Sequence, residues 1–238
     1  MKGREKVPKQ SITPTKDAPR VVIACKVMEP EIASLTQDVD YLRPIYLESS
    51  LHHTPETMPE LIGEQIRSAA LYASQIVLGY GLCSNGVVGL EAPRQGLIIP
   101  CVHDCISLFL GSGERYHELF TKRPGTYYLT PGWIAERSDP LGYLEDSYVP
   151  KMGRERAEWG LREELKHYTH ITLINTDSAD MAPLRKIARQ NADFLDMSYE
   201  EIPGSSSFFS KILFGPYTDS DFIRLGPGEV MQQNRIVS

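Results

Sequence analysis

The sequence predicts an α/β fold: an open, mostly parallel, Rossmann-like sheet with helices on both faces and room for two lobes. Three observations lead there. Short apolar runs rich in β-branched residues alternate with amphipathic helical stretches. The chain has 238 residues, 41% of them hydrophobic, enough for the core of one large domain or two small ones. A closed eight-stranded barrel with the same alternation is usually larger, at about 250 residues, so the open sheet is the better fit.

The elements follow in order. Residues 1–19 are basic, carry Pro8, Pro14 and Pro19 and lack an apolar stretch, so they read as a disordered lead and not as a secretory signal. Residues 20–238 read as a single α/β domain, with a possible lobe division near 135–153, a polar stretch that reads equally as one long functional loop. Val21, Val22, Ile23 and Ala24 form a buried strand. A short helix follows over 29–36, with Pro30 in its first turn. A second strand lies around Pro44, Ile45, Tyr46 and Leu47. A loop with His52 and His53 leads into a helix over 55–74. There Thr54 is the expected N-cap, and Leu61, Ile62, Ile66, Ala69 and Ala73 make an apolar stripe. Strands are expected at 75–80, 96–102, 126–130, 170–175, 193–197 and 221–225. Helices are expected at 106–122, 153–168, from about 178 to 192, and at 206–214.

Charge and composition narrow the function. The 25 basic and 31 acidic residues give a net charge of −6, which argues against nucleic-acid binding. No stretch approaches the ~18 apolar residues of a membrane-spanning helix. Four cysteines are too few for a disulfide scaffold. The expectation is a soluble, cytoplasmic protein. Nothing in the sequence sets an oligomeric state.

The cysteines carry the most specific signal. Cys25 ends the first strand, and Cys83 and Cys105 each follow a strand within a few residues. Ligands in open α/β sheets bind at the carboxyl ends of strands. If these strands are parallel and adjacent, the three sulfurs share one edge. With His103 as a fourth ligand they suit zinc or an iron–sulfur cluster. Cysteine is also a common small core residue, and Cys101, inside its strand, reads that way. Cys105 has a second reading. Asp104 would cap the next helix, and a helix N-terminus lowers a thiol pKa, so Cys105 could be a nucleophile with His103 as base.

Other segments are less specific. The run from Gly79 to Gly89 could bring backbone N–H groups to a phosphate or carboxylate, with Gly81, Asn85 and Gly86 as contacts, or could simply be a turn. Trp133, after a strand ending at Thr130, could line a flat pocket or pack on the sheet.

Taken together, Cys25 after its strand, Tyr80-Gly81-Leu82-Cys83-Ser84-Asn85-Gly86, the run Asp104-Cys105-Ile106-Ser107-Leu108-Phe109-Leu110-Gly111-Ser112, and Tyr127-Tyr128-Leu129-Thr130-Pro131-Gly132-Trp133 resemble the domain of unknown function 1638 family. The likeness covers roughly residues 20–225. Members of that family often accompany corrinoid-dependent methyltransferase systems in anaerobes. The resemblance therefore implies a setting in anaerobic one-carbon metabolism, with Cys25, Cys83 and Cys105 as the functional positions. Many members have glycine after the first cysteine, where Lys26 stands here, and His103 replaces a more variable acidic position.

Three functions fit these observations. The first is a metal-binding protein with zinc or an iron–sulfur cluster on the three cysteines, acting in methyl or sulfur transfer on a small-molecule substrate. The second is a metal-free thiol enzyme using Cys105. The third is an accessory protein delivering metal or corrinoid to a methyltransferase system.

Overall fold

The computed structural model describes residues 13–83 and 85–235. Part of the expected disordered lead, residues 1–12, lies outside them, as do Ser84 and the side chains of His52 and His53.

Two sheets organise the chain. The first has the order β2-β1-β3-β4-β8. Its strands are β1 (Arg20–Cys25), β2 (Leu42–Leu47), β3 (Gln75–Gly79), β4 (Leu97–Pro100) and β8 (Phe222–Leu225). The first four run parallel, and β8 closes the edge antiparallel to β4. The second sheet is wholly parallel, in the order β5-β6-β7, from β5 (Thr126–Leu129), β6 (His170–Asn175) and β7 (Ser198–Pro203). The chain leaves the first sheet after β4, builds the second, and returns for β8. The expected α/β class with mostly parallel strands is what the structure has.

Each sheet has its own core. Strand β1 is buried along its whole length, as its continuous apolar run requires. Helix α1 (Glu29–Thr36) and helix α2 (Met58–Ala69) belong to this first lobe. Helix α2 buries Met58, Ile62, Ile66 and Ala69 at helical spacing. Each large apolar side chain so buried contributes about 1.5–3 kcal/mol. A second core forms around Leu129, Leu161, Ile171, Leu173 and Ala188. Trp133 packs against both cores.

Several expectations need correction. The long helix over 55–74 starts instead as a 3-10 turn at Pro55–Thr57, and Thr54 makes no side-chain cap. The helix expected over 106–122 is two: α3 (Ile106–Leu110) and α4 (Gly113–Lys122). Gly111, at φ 87°, breaks them apart, and Ser112 caps the second. The strand expected at 193–197 is the end of α9 (Met181–Leu195), whose buried Ala188, Ala192 and Leu195 keep helical spacing. Asp196, at φ 57°, then turns the chain into β7.

The 135–153 stretch is largely helical rather than an open loop. It holds the end of α5 (Pro131–Ala135), then α6 (Pro140–Tyr143), a π-helical turn, and α7 (Val149–Met152). Leu141, Leu144, Tyr148 and Val149 pack it into the second core. Helix α8 (Arg154–Glu164) continues that lobe, and α10 (Ser207–Phe214) returns to the first.

Candidate functional site

Because β1, β3 and β4 are parallel neighbours, their carboxyl ends share one edge. Cys25 is the last residue of β1. Cys83 lies on the loop after β3, and Cys105 on the loop after β4. These two loops are laced together: Leu82 N–H donates to the Val102 carbonyl at 2.8 Å, and Cys83 N–H to that of His103 at 3.2 Å. Gly81 permits the approach, since a Cβ there would lie 2.7 Å from the Val102 carbonyl oxygen. Cys83 adopts a left-handed conformation at φ 43°, uncommon for a residue with a side chain.

All three cysteines are buried: Cys25 is 1% exposed, Cys105 4% and Cys83 9%. Cys83 acts directly on the Cys105 thiol, and charge on Cys105 would raise the pKa of Cys25. Backbone donors also meet the sulfurs. Val27 N–H is directed at the Cys25 sulfur and Gly81 N–H at that of Cys105. Such donors favour thiolate, while burial opposes it. Burial wins for Cys25, whose pKa is pushed up to about 12. For Cys105 the contact with Cys83 and then burial push the thiol well above its ordinary range.

The helix expected to act on Cys105 through its N-terminus is present but short. Asp104 does cap the turn, accepting from Ile106 N–H at 2.8 Å. Helix α3, which follows Cys105, has only five residues.

Tyr80 stands beside the cysteines. It is 1% exposed, and its hydroxyl is buried without a hydrogen-bond partner. Charge on any of Cys25, Cys83 or Cys105 would act on that phenol, and with burial it raises the Tyr80 pKa well above the ordinary tyrosine range. Nothing local in the sequence marks the Tyr80 hydroxyl as unpaired.

A cavity of about 330 Å³ opens onto Cys83 and Cys105 between the two lobes. Its wall on the first lobe includes His103 and Asp104, and on the other side Tyr128, Trp133 and Tyr168. Trp133 thus lines the cavity while packing on both cores. Gly81, Asn85 and Gly86 do not line it. Gly81 serves the loop and Cys105. Asn85, at φ 70°, makes the turn, and Gly86 packs on Met58. His103 is exposed at the cavity wall. Cys101 is half-buried and faces a second, adjoining cavity of about 740 Å³.

Among the described residues no group of three or more His, Cys, Asp or Glu side chains is already arranged around one metal position. The loops carrying Cys83 and Cys105 are hydrogen-bonded to each other, and Cys25 ends the adjoining strand β1; thiolates are the ligands that soft ions take.

A family profile described as "Protein of unknown function (DUF1638)" matches residues 46–213. The chain belongs to that family. The matched span contains Cys83, Cys105 and the cavity wall, while Cys25 lies before it. No curated protein and no solved structure matches the chain. Among the described residues, no helix is long and apolar enough to cross a membrane.

Proposed function

We propose that Cys25, Cys83 and Cys105 hold a soft metal, as zinc or an iron–sulfur cluster, at the carboxyl edge of the first sheet. The reading is carried by one observation: Cys25, Cys83 and Cys105 are all buried at the carboxyl ends of three neighbouring parallel strands, and the loops carrying Cys83 and Cys105 are hydrogen-bonded to each other. Donors placed on sulfur stabilise thiolate, the form that binds metal. In the metal-free protein, burial and mutual repulsion keep those thiols protonated, a cost that a cation at the same place relieves.

Binding draws the three sulfurs onto one ion from the ends of neighbouring strands. His103, on the cavity wall, is available for a fourth position, or that position stays open to a substrate. A metal-held thiolate stays nucleophilic at neutral pH, the chemistry that methyl or sulfur transfer needs.

The Cys83–Cys105 contact favours a second reading, a metal-free dithiol that cycles with a disulfide. Purification without oxygen separates the two. The metal reading predicts about one metal or cluster per chain, measured as metal, iron and acid-labile sulfide, and its loss in Cys25→Ser, Cys83→Ser and Cys105→Ser. A wild type that stays metal-free after reconstitution, and forms a Cys83–Cys105 disulfide under mild oxidant, would replace it with the dithiol.

A further inference from the structure

The cavity between the lobes has a chemistry of its own. Tyr116, Phe120, Tyr127, Tyr128, Trp133 and Tyr168 all contribute to its wall. Tyr116 and Phe120 lie 6.0 Å apart at 34°, and two other pairs meet more steeply. Tyr116 and Tyr128 lie 6.3 Å apart at 55°, and Tyr127 and Tyr168 5.6 Å apart at 64°. Six of the side chains on the wall are aromatic, four of them tyrosines, and an aromatic ring attracts a cation that comes over its face.

The charge on the wall has one sign. Asp104 is its carboxylate, and no lysine or arginine lines the cavity. Asp104 accepts from Ile106 N–H at 2.8 Å and lies 3.5 Å from the Tyr116 hydroxyl. No basic side chain among the described residues forms an ion pair with it. Arg123, whose charge reaches Tyr128, is taken up by an ion pair with Glu200. An anionic ligand would find no counter-charge here except His103, and it would face both Asp104 and the thiols.

We propose that this cavity binds a small organic cation with a methylated ammonium head, held against the aromatic wall with Asp104 as counter-ion. Aromatic faces attract a cation through their quadrupole, and an ammonium clothed in methyl groups gives up little hydration on entering such a wall. A bare ammonium or alkali ion loses more hydration, and the rings return fewer directed bonds. The assignment does not require the metal, because the aromatic wall and Asp104 stand without it.

Calorimetric titration tests it. The probes are tetramethylammonium, choline and 3,3-dimethylbutan-1-ol, the uncharged counterpart of choline. Each is titrated into the protein after chelation and again after loading with zinc. Tetramethylammonium and choline are expected to bind saturably in both forms, with the neutral alcohol about tenfold weaker or more. Asp104→Asn, which keeps an acceptor for the Ile106 N–H, is expected to weaken choline about tenfold without altering the circular dichroism. Tyr128→Leu is an independent check on the wall, with a similar loss. Equal binding of choline and the alcohol, tighter binding of inorganic phosphate, no binding of either cation, or full affinity in both variants would each overturn the proposal. Cation binding to the chelated protein supports it even if the metal reading fails.

Discussion

A Cβ added to Gly132 would sit 1.7 Å from the Val27 carbonyl oxygen. Helix α5 of the second lobe is thereby seated against the turn that follows Cys25. Val27 also supplies the N–H directed at the Cys25 sulfur, so one residue braces the lobes and the thiol together. Backbone stands against backbone here, with no flexible side chain to yield. Gly132→Ala is therefore expected to destabilise the protein by about 1–3 kcal/mol or more, read as a lowered urea midpoint. Gly160→Ala is the control. It lies within α8 with nothing near its added Cβ, and is expected to stabilise by about 0.5–1 kcal/mol.

Tyr80→Phe removes a hydroxyl that is buried without a partner. Metal-free protein is expected to gain about 1–3 kcal/mol, because the desolvation cost of that group disappears. A thermal melt of chelated wild type and variant reads the difference. Unchanged or lower stability would mean that the hydroxyl has a partner in solution.

Glu31 links the lobes. Its carboxylate accepts from the Thr176 hydroxyl at 2.7 Å and that of Ser178 at 2.9 Å, while its second oxygen is buried without a partner. Burial raises its pKa above the ordinary carboxyl range. The native state thus holds this proton more tightly than the unfolded chain does. The associated stability is complete below the unfolded value, about 4.3, and falls as pH rises through the native one. Glu31→Gln keeps an acceptor for both hydroxyls and escapes that loss. Denaturation at about pH 7 should show the variant more stable by on the order of 1 kcal/mol, with the gap closing near about pH 4.

Much of the scaffold was legible because it depends on local pattern. The buried run at β1 and the bounds of α1 are set by residues adjacent in sequence. The shared edge of Cys25, Cys83 and Cys105 followed from strand ends and parallel pairing. What was not legible depends on distant partners. Strand β7 carries Glu200 and Glu201, which look unlike a strand until Arg123 and Arg185 meet them from elsewhere. Periodicity does not reveal which strands pair, so the division into two sheets was hidden. The close approach of the Gly81 backbone to the Val102 loop, and the cavity's aromatic wall, need segments distant in sequence.

Alkylation with and without zinc asks whether the three cysteines act as one site. In metal-free protein at neutral pH, Cys25, Cys83 and Cys105 should react slowly, and half-buried Cys101 first. Partial unfolding in urea would expose all four. After one equivalent of zinc, mass spectrometry of the alkylated peptides is predicted to show Cys25, Cys83 and Cys105 protected together under the same conditions, with Cys101 unchanged. Zinc that protects none of the three, or only one, would contradict a shared three-cysteine centre.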